Sequence, residues 1–376
     1  MKWSWRIVRV AGIGLYMHVT FLILLAWVGV SYYLKRHQWQ DVVGGLAFVG
    51  ALFTIVVLHE LGHALTAKKF GVSTLDITLL PIGGVARLER IPEDPKQELW
   101  IALAGPAVNM ALALALGILL TITQQIEATF VAESSGNEWL RSLLWINVGL
   151  AGFNLLPAFP MDGGRVLRAL LAMRMDRAKA THVAATIGQA MAWVFGLVGL
   201  FTNPWLVFIA LFVWMAATQE DSMVQIRSAL GGLPVSSLMI NQVHSVAADE
   251  TLSQVVDYIL SESQTDYPVL EGHRVIGVLT RADLIAALAR DGLQGKVRSA
   301  MKTSFQTAAP GDLVEQVFAR MQNCDCHSLP VVSSGRLIGM ITMDSVGEFL
   351  LLQAALPRDF GQIRARFSAK PRVTAA

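Results

Sequence analysis

Cysteine is nearly absent from this sequence. The two present in 376 residues, Cys324 and Cys326, stand too close together to staple a domain. No disulfide framework is therefore expected, and free thiols in that half of the chain suit a reducing compartment. Charge is scarce as well: 15% of residues are charged, against about 25% in soluble domains. That excludes an ordinary soluble enzyme over the whole length. The net charge is only +2, and no nucleic-acid partner is expected. No cleavable leader is expected, because the apolar segment behind MKWSWRIVRV is long and has no small-residue cleavage site. It reads as a retained first span.

Hydrophobic residues make up 54% of the chain, unevenly spread. Residues 10–219 hold long apolar runs, whereas 234–350 alternate apolar and charged residues as a soluble domain does. Spans of about 20 residues are predicted at 10–33, 42–67, 98–123, 139–156, 181–201 and 204–219. Thirteen basic residues fall on one side, in the N-terminal tail (Lys2, Arg6, Arg9) and in the second-to-third and fourth-to-fifth connections. The other side has Lys35, Arg36 and Arg141. The positive-inside rule then puts both termini in the cytoplasm of a multi-pass protein of the inner or plasma membrane. STLDITLLPIGGVARLE, in the second-to-third connection, alternates and carries Gly83 and Gly84, which predicts a hairpin dipping towards the bilayer. Irregular backbone there has to be covered by protein or line a wet cavity, and an exposed edge could pair with another extended chain. Trp27, Trp39, Trp139 and Trp205, near the span ends, read as interfacial anchors.

Within the second span, TIVVLHELGHALTA buries His59, Glu60 and His63 among aliphatic residues. This is HExxH. Positions i and i+4 share a helix face, so both imidazoles can reach one metal with the Glu beside it as a general base. The chain's own His and Glu content makes a chance match rare, about 0.006 expected. The plainer alternative is a polar pocket, although three such groups in a span mark a functional site by default. Zinc suits two imidazoles and a third protein ligand, with one position left open. Asp162 in NLLPAFPMDGGRVLRALL is the candidate. Asp-Gly alone signals a turn, but here the turn interrupts an apolar segment. His59 lies about 25 Å into its span at 1.5 Å per residue, a level similar to that of Asp162 just past the fourth span.

HExxH in a membrane helix, the later N-x-x-P-x-x-x-x-D-G and the intervening LAGPAVNM resemble the site-2 protease family of intramembrane zinc metalloproteases, over about residues 10–220. The resemblance implies one Zn2+ per chain on His59, His63 and Asp162, with Glu60 activating the water. It implies that Asn154 contacts the substrate backbone and that the Gly83-Gly84 hairpin receives the unwound substrate as an added strand. Where the family often has Leu before Asp-Gly, this chain has Met161. Asn109, after AGP, is either a helix-to-helix hydrogen-bonding residue or part of the substrate site. His18, in LYMHVTF, is a candidate gate or alternative metal contact, or an internally paired histidine.

Residues 234–350 repeat at an offset of 62: YPVLEGHRVIGVLT (267–280) matches LPVVSSGRLIGMIT (329–342), and Met239 matches Met301. Each copy reads strand, helix, strand, strand, helix, and the constant offset marks a duplicated module. It resembles a tandem pair of CBS domains, which implies an adenine nucleotide between the copies and association into homodimers. A Thr with an Asp three residues on implies ligand contacts at Thr280 and Asp283. In copy two Thr342 is followed by Ser345 at the Asp position, with Asp344 shifted by one. The alternative is a pair that only dimerises or props the membrane domain.

The fold expected is thus a polytopic α-helical membrane domain of about six spans with a re-entrant β-hairpin (1–222), a linker (223–233), an α/β cytoplasmic tandem CBS pair (234–291 and 296–351) and a basic tail (352–376) that can lie on anionic lipid. The function expected is an intramembrane endopeptidase acting on membrane-embedded protein substrates, with the CBS pair as nucleotide-responsive regulator. A CBS-regulated channel or transporter using His59, Glu60 and His63 as a cation pathway is the alternative, and an inactive scaffold the third reading.

Overall fold

The residues that open the chain form a hairpin, not the start of a membrane span. A computed structural model describes residues 3–81, 83–89, 92, 94–130, 137–261, 264–324 and 326–355. In it β1 (Ser4–Val10) pairs antiparallel with β2 (Ile13–His18), joined by Ala11 and Gly12 with φ of 51° and 92°. Positive φ at both loop residues gives a turn whose twist matches that of the strands. The expected first span therefore shortens to α1 (Val19–Arg36), which follows in 18 residues. β2, IGLYMH, is apolar up to its last residue, so hydropathy alone runs it into the helix.

The chain divides into two compact units, Met1–Val224 and Gln225–Ala376. In the first, α2 (Trp39–Lys69) is followed by β3 (Thr74–Leu80) and β4 (Gly83–Leu88). The predicted hairpin is there, and it completes a four-stranded sheet of order β1-β2-β3-β4 in which β2 and β3 run parallel. Asp76 pairs with Arg87 across β3 and β4. One face of the sheet closes on α1 and α2 through Ile13, Ala64 and Ile77 and through Phe21, Phe53 and Leu79. Then come α3 (Pro95–Phe130), α4 (Asn137–Asn154), α5 (Asp162–Ala172), α6 (Arg177–Thr202) and α7 (Pro204–Leu230). Among the described residues four helices, α2, α3, α6 and α7, are long and apolar enough to cross a membrane, against the six spans expected. At 18 residues each, α1 and α4 fall short of that length and composition. The sixth expected span, 204–219, and the linker 223–233 merge, because α7 stays helical to Leu230.

The second unit holds β5 (Val246–Ala247), α8 (Leu252–Ser261), β6 (Tyr267–Glu271), β7 (Arg274–Leu279) and α9 (Arg281–Asp291). After these stand α10 (Val297–Ala300), α11 (Val314–Cys324), β8 (Ser328–Ser333), β9 (Arg336–Thr342) and α12 (Met343–Ala355). Copy one forms a three-stranded sheet, β5-β6-β7. In copy two the expected first strand is reduced to a single bridge, Ala308 to Val331, which is the Val246–Val269 pairing of copy one moved by 62. The segments ahead of the copies are exchanged: Ile240 bridges to Met340 in copy two, while its counterpart Lys302 bridges to Val278 in copy one. Pro234–Leu313 and Lys296–Thr251 are exchanged in the same way. Each copy thus completes the other, and the two equivalent residues Asp266 and Ser328 meet, both buried, with Ser328 Oγ donating to Asp266 Oδ2 at 2.7 Å.

Cys324 and Cys326, expected as thiols, are joined in a disulfide. The chain reverses at the end of α11, where the Cys326 N–H donates to the Met321 carbonyl at 3.0 Å, and this brings the two sulfurs together. The basic tail lies outside the described residues from 356 onwards.

Replacing Asp266 by Ala leaves Ser328 Oγ and the Arg281 N–H without their shared buried acceptor. The second unit is expected to lose about 1–3 kcal/mol in denaturant unfolding.

Candidate metal centre

The long helix α2 carries His59 and His63 on one face, both buried at 6% exposure. Their Nε2 atoms lie 3.1 Å apart. α4 stops at Asn154, and the chain makes a turn through Pro157 and Pro160 before α5 begins on Asp162. The two glycines after Asp162 are required by this turn. A Cβ on Gly163 would lie 2.2 Å from the Leu156 carbonyl oxygen, and one on Gly164 would lie 2.7 Å from the Ala158 carbonyl carbon. Asp162, 8% exposed, places Oδ2 at 3.2 Å from His59 Nε2 and 3.1 Å from His63 Nε2.

Three donor atoms from residues 99 and 103 positions apart in sequence therefore face one point. A tetrahedral zinc with bonds of about 2.0–2.1 Å separates its ligand atoms by about 3.3 Å, so the site fits that ion. Among the described residues this is the one group of three or more His, Cys, Asp or Glu side chains able to hold a metal. Outside the triangle, His63 Nδ1 donates to the Ile101 carbonyl at 2.6 Å, which fixes the tautomer that leaves Nε2 free for a metal. His59 Nδ1 is buried without a partner.

Backbone, not side chain, forms the wall opposite. Gly105 on α3 comes so close that a Cβ would lie 2.2 Å from His63 Nε2 and 2.6 Å from His59 Nε2. Gly62 packs on the Ala104 carbonyl in the same way, and Gly84 at the start of β4 packs on Glu60 Cγ.

The profile of Peptidase family M50 matches residues 47–138 and 120–195, and that of the CBS domain matches 235–290 and 297–351. Zinc metalloprotease MJ0392 of Methanocaldococcus jannaschii is 34% identical over 348 residues, covering 92% of this chain and 96% of that protein. The chain belongs to peptidase family M50, the site-2 proteases. Stage IV sporulation protein FB of Bacillus subtilis is 29% identical over 168 residues, 43% of this chain and 55% of that protein. The solved site-2 protease from Methanocaldococcus jannaschii is 40% identical, with a TM-score of 0.43, covering 58% of this chain and 95% of that one.

The other residues singled out in this M50 protease are placed as follows. Glu60 follows His59 on α2 and faces Gly84. Gly83 opens β4 at φ 140°. Asn154 is the last residue of α4, half-buried. Asn109 is fully buried one helical turn beyond Gly105, and neither of its amide atoms is hydrogen-bonded. His18 is not inside a span. It caps α1, with Nδ1 accepting from the Thr20 N–H and lying 2.8 Å from Thr20 Oγ1, and it is not among the grouped metal-binding side chains. In the CBS pair Thr280 caps α9, its Oγ1 at 2.5 Å from Asp283 Oδ2, and Lys302 lies 3.3 Å from the same carboxylate. Copy two repeats this cap with Ser345, whose N–H donates to Thr342 Oγ1 at 3.0 Å, while Asp344 is exposed beside it. Sequence reasoning missed Gly105. LAGPAVNM contains it, but nothing in its spacing says that its missing side chain faces the histidines.

Gly105→Ala is expected to drop the zinc content of the purified protein well below one per chain by elemental analysis. Gly149→Ala, where a Cβ meets nothing within 4 Å, should leave it unchanged.

Proposed function

We propose that this M50 zinc metalloprotease is an intramembrane endopeptidase that cuts membrane-spanning protein substrates. His59, His63 and Asp162 would hold the zinc and Glu60 would act as general base. The observation that carries this reading is the buried triangle of donor atoms, 3.1–3.2 Å on a side, on a helix apolar enough to cross a membrane. Zinc held there supplies a Lewis acid that lowers the pKa of water and polarises a peptide carbonyl. The Glu60 carboxylate takes the proton of the attacking water and delivers it to the leaving amide nitrogen. Gly105 lets both imidazoles sit against backbone.

A peptide bond inside a helix is shielded, so the substrate unwinds near the cut, and helix-breaking residues there ease the step. The sheet order leaves one side of β4 without a strand neighbour among the described residues, and Gly84 sets that strand beside Glu60. An extended substrate segment would join that edge by backbone hydrogen bonds, with Asn154 holding its main chain. The excess of Lys and Arg in the connections that flank the site supports a cytoplasmic position for both termini.

The second unit acts in this reading as a regulator that takes an adenine nucleotide at copy one, where Thr280 and Asp283 form the polar cradle. Copy two has Ser345 where that cradle needs a carboxylate, which supports one ligand rather than two. α7 is the covalent route between the units, carrying Glu220 in the first and Leu230 in the core of the second. Association into homodimers through the CBS pair belongs to the same reading.

Glu60→Gln, assayed against tagged single-span substrates in co-expression, should lower cleavage by about 10²–10⁴-fold with zinc content unchanged. Asp162→Ala should lose both. A Glu60→Gln protein that still cleaves removes the general-base assignment, and an ion-flux defect with no cleavage of any membrane substrate favours a transporter.

A further inference from the structure

Asp162 opens α5, and the same helix carries Arg168, which is 1% exposed. Arg168 Nε donates to Glu98 Oε1 in the first turn of α3 at 2.7 Å, and Nη1 pairs with Glu220 on α7. The second oxygen of Glu98 accepts from Arg177 Nη2, at the start of α6, at 3.1 Å. Arg177 Nη1 donates to the Pro92 carbonyl at 2.6 Å. The Arg168 guanidinium also lies 5.1 Å from the ring centre of Phe159, a buried residue of the turn that precedes Asp162. Two arginines and two glutamates thus cancel in charge and tie α5 to three other helices. Buried ion pairs are a weak source of stability, but the planar guanidinium fork fixes direction as a single point charge does not.

α5 needs such a fixture. It is 11 residues long, and Met161 at its N-cap makes no side-chain hydrogen bond. Among the described residues, the hydrogen-bond partners of the Asp162 carboxylate are the two imidazoles it faces. With Cα atoms about 2.3 Å from the helix axis, a rotation of α5 by about 20° moves the Asp162 Cα by about 0.8 Å. Metal sites tolerate about 0.2 Å in ligand distance.

We propose that Arg168, gripped by Glu98 and Glu220, is a positioning residue that sets the rotation of α5 and so aims the Asp162 carboxylate at the two imidazoles. This rests on the zinc site proposed above. Arg168 touches neither substrate nor reacting atoms and acts through Asp162. A plain structural staple would affect unfolding but not the hold on the metal, and the two roles separate experimentally.

The test uses the full-length protein in detergent, loaded with zinc, with transfer to a chromophoric chelator followed in time and thermal unfolding measured in parallel. Glu220→Gln should speed zinc release about 10–100-fold, the range for loss of a residue that orients a ligand. Arg168→Lys keeps the cation without the fork and should act in the same direction. Asp221→Asn is the control: it loosens the pair between Asp221 on α7 and His182 on α6, 2.9 Å apart, in which Arg168, Glu98 and Glu220 take no part, and should release zinc at the wild-type rate. If Glu220→Gln does not fold, Arg168→Lys carries the test. Zinc release at the wild-type rate in both variants overturns the positioning role and leaves the zinc site standing. A wild-type chain that holds no zinc overturns both.

Discussion

Two imidazoles and a carboxylate that converge inside a bundle of apolar helices carry a desolvation penalty that one shared cation would offset. Each group alone would be expensive at that depth. Together, with donor atoms 3.1–3.2 Å apart, they form a ready site for a divalent ion, and much of the first unit is arranged to keep them together. The arrangement is largely one of close backbone approach. Gly62 and Gly105 bring α2 and α3 into contact, Gly84 brings β4 onto Glu60, and Gly163 and Gly164 fold the α4–α5 turn under Asp162. A single methyl at any of these positions meets an atom at 2.9 Å or less, which densely packed interiors do not absorb without displacement.

The second unit follows a different logic. Its two copies are not independent beads, because the segment ahead of each is built into the other. The buried Asp266–Ser328 hydrogen bond joins equivalent positions of the two copies. A pair built this way is one body, not two.

Legibility in the sequence followed how much each feature depended on local pattern. HExxH and Asp162 stood out because ionisable residues in apolar runs are rare, and the duplicated module because an offset of 62 persists over many anchors. The N-terminal hairpin was hidden, since the residues of a β-ribbon and of a membrane helix are equally apolar and Ala-Gly is a modest turn signal. The extent of α7 was hidden for the opposite reason: TQEDSMVQIRS is polar, so hydropathy ends a span where the helix continues. The first strand of copy two was lost because Ala308, in the place of Val246, offers little to a sheet. Gly105 and Arg168 could not be assigned, because their roles depend on which helices meet. The bonded state of Cys324 and Cys326 likewise depends on a chain reversal that CxC spacing does not specify.

Zinc K-edge X-ray absorption on the purified full-length protein tests the central claim most directly. The account predicts a first shell of two imidazole nitrogens and carboxylate or water oxygens at about 2.0–2.1 Å, with one imidazole signal lost in His59→Ala. Sulfur at about 2.3 Å, or a shell unaltered by His59→Ala, would contradict it.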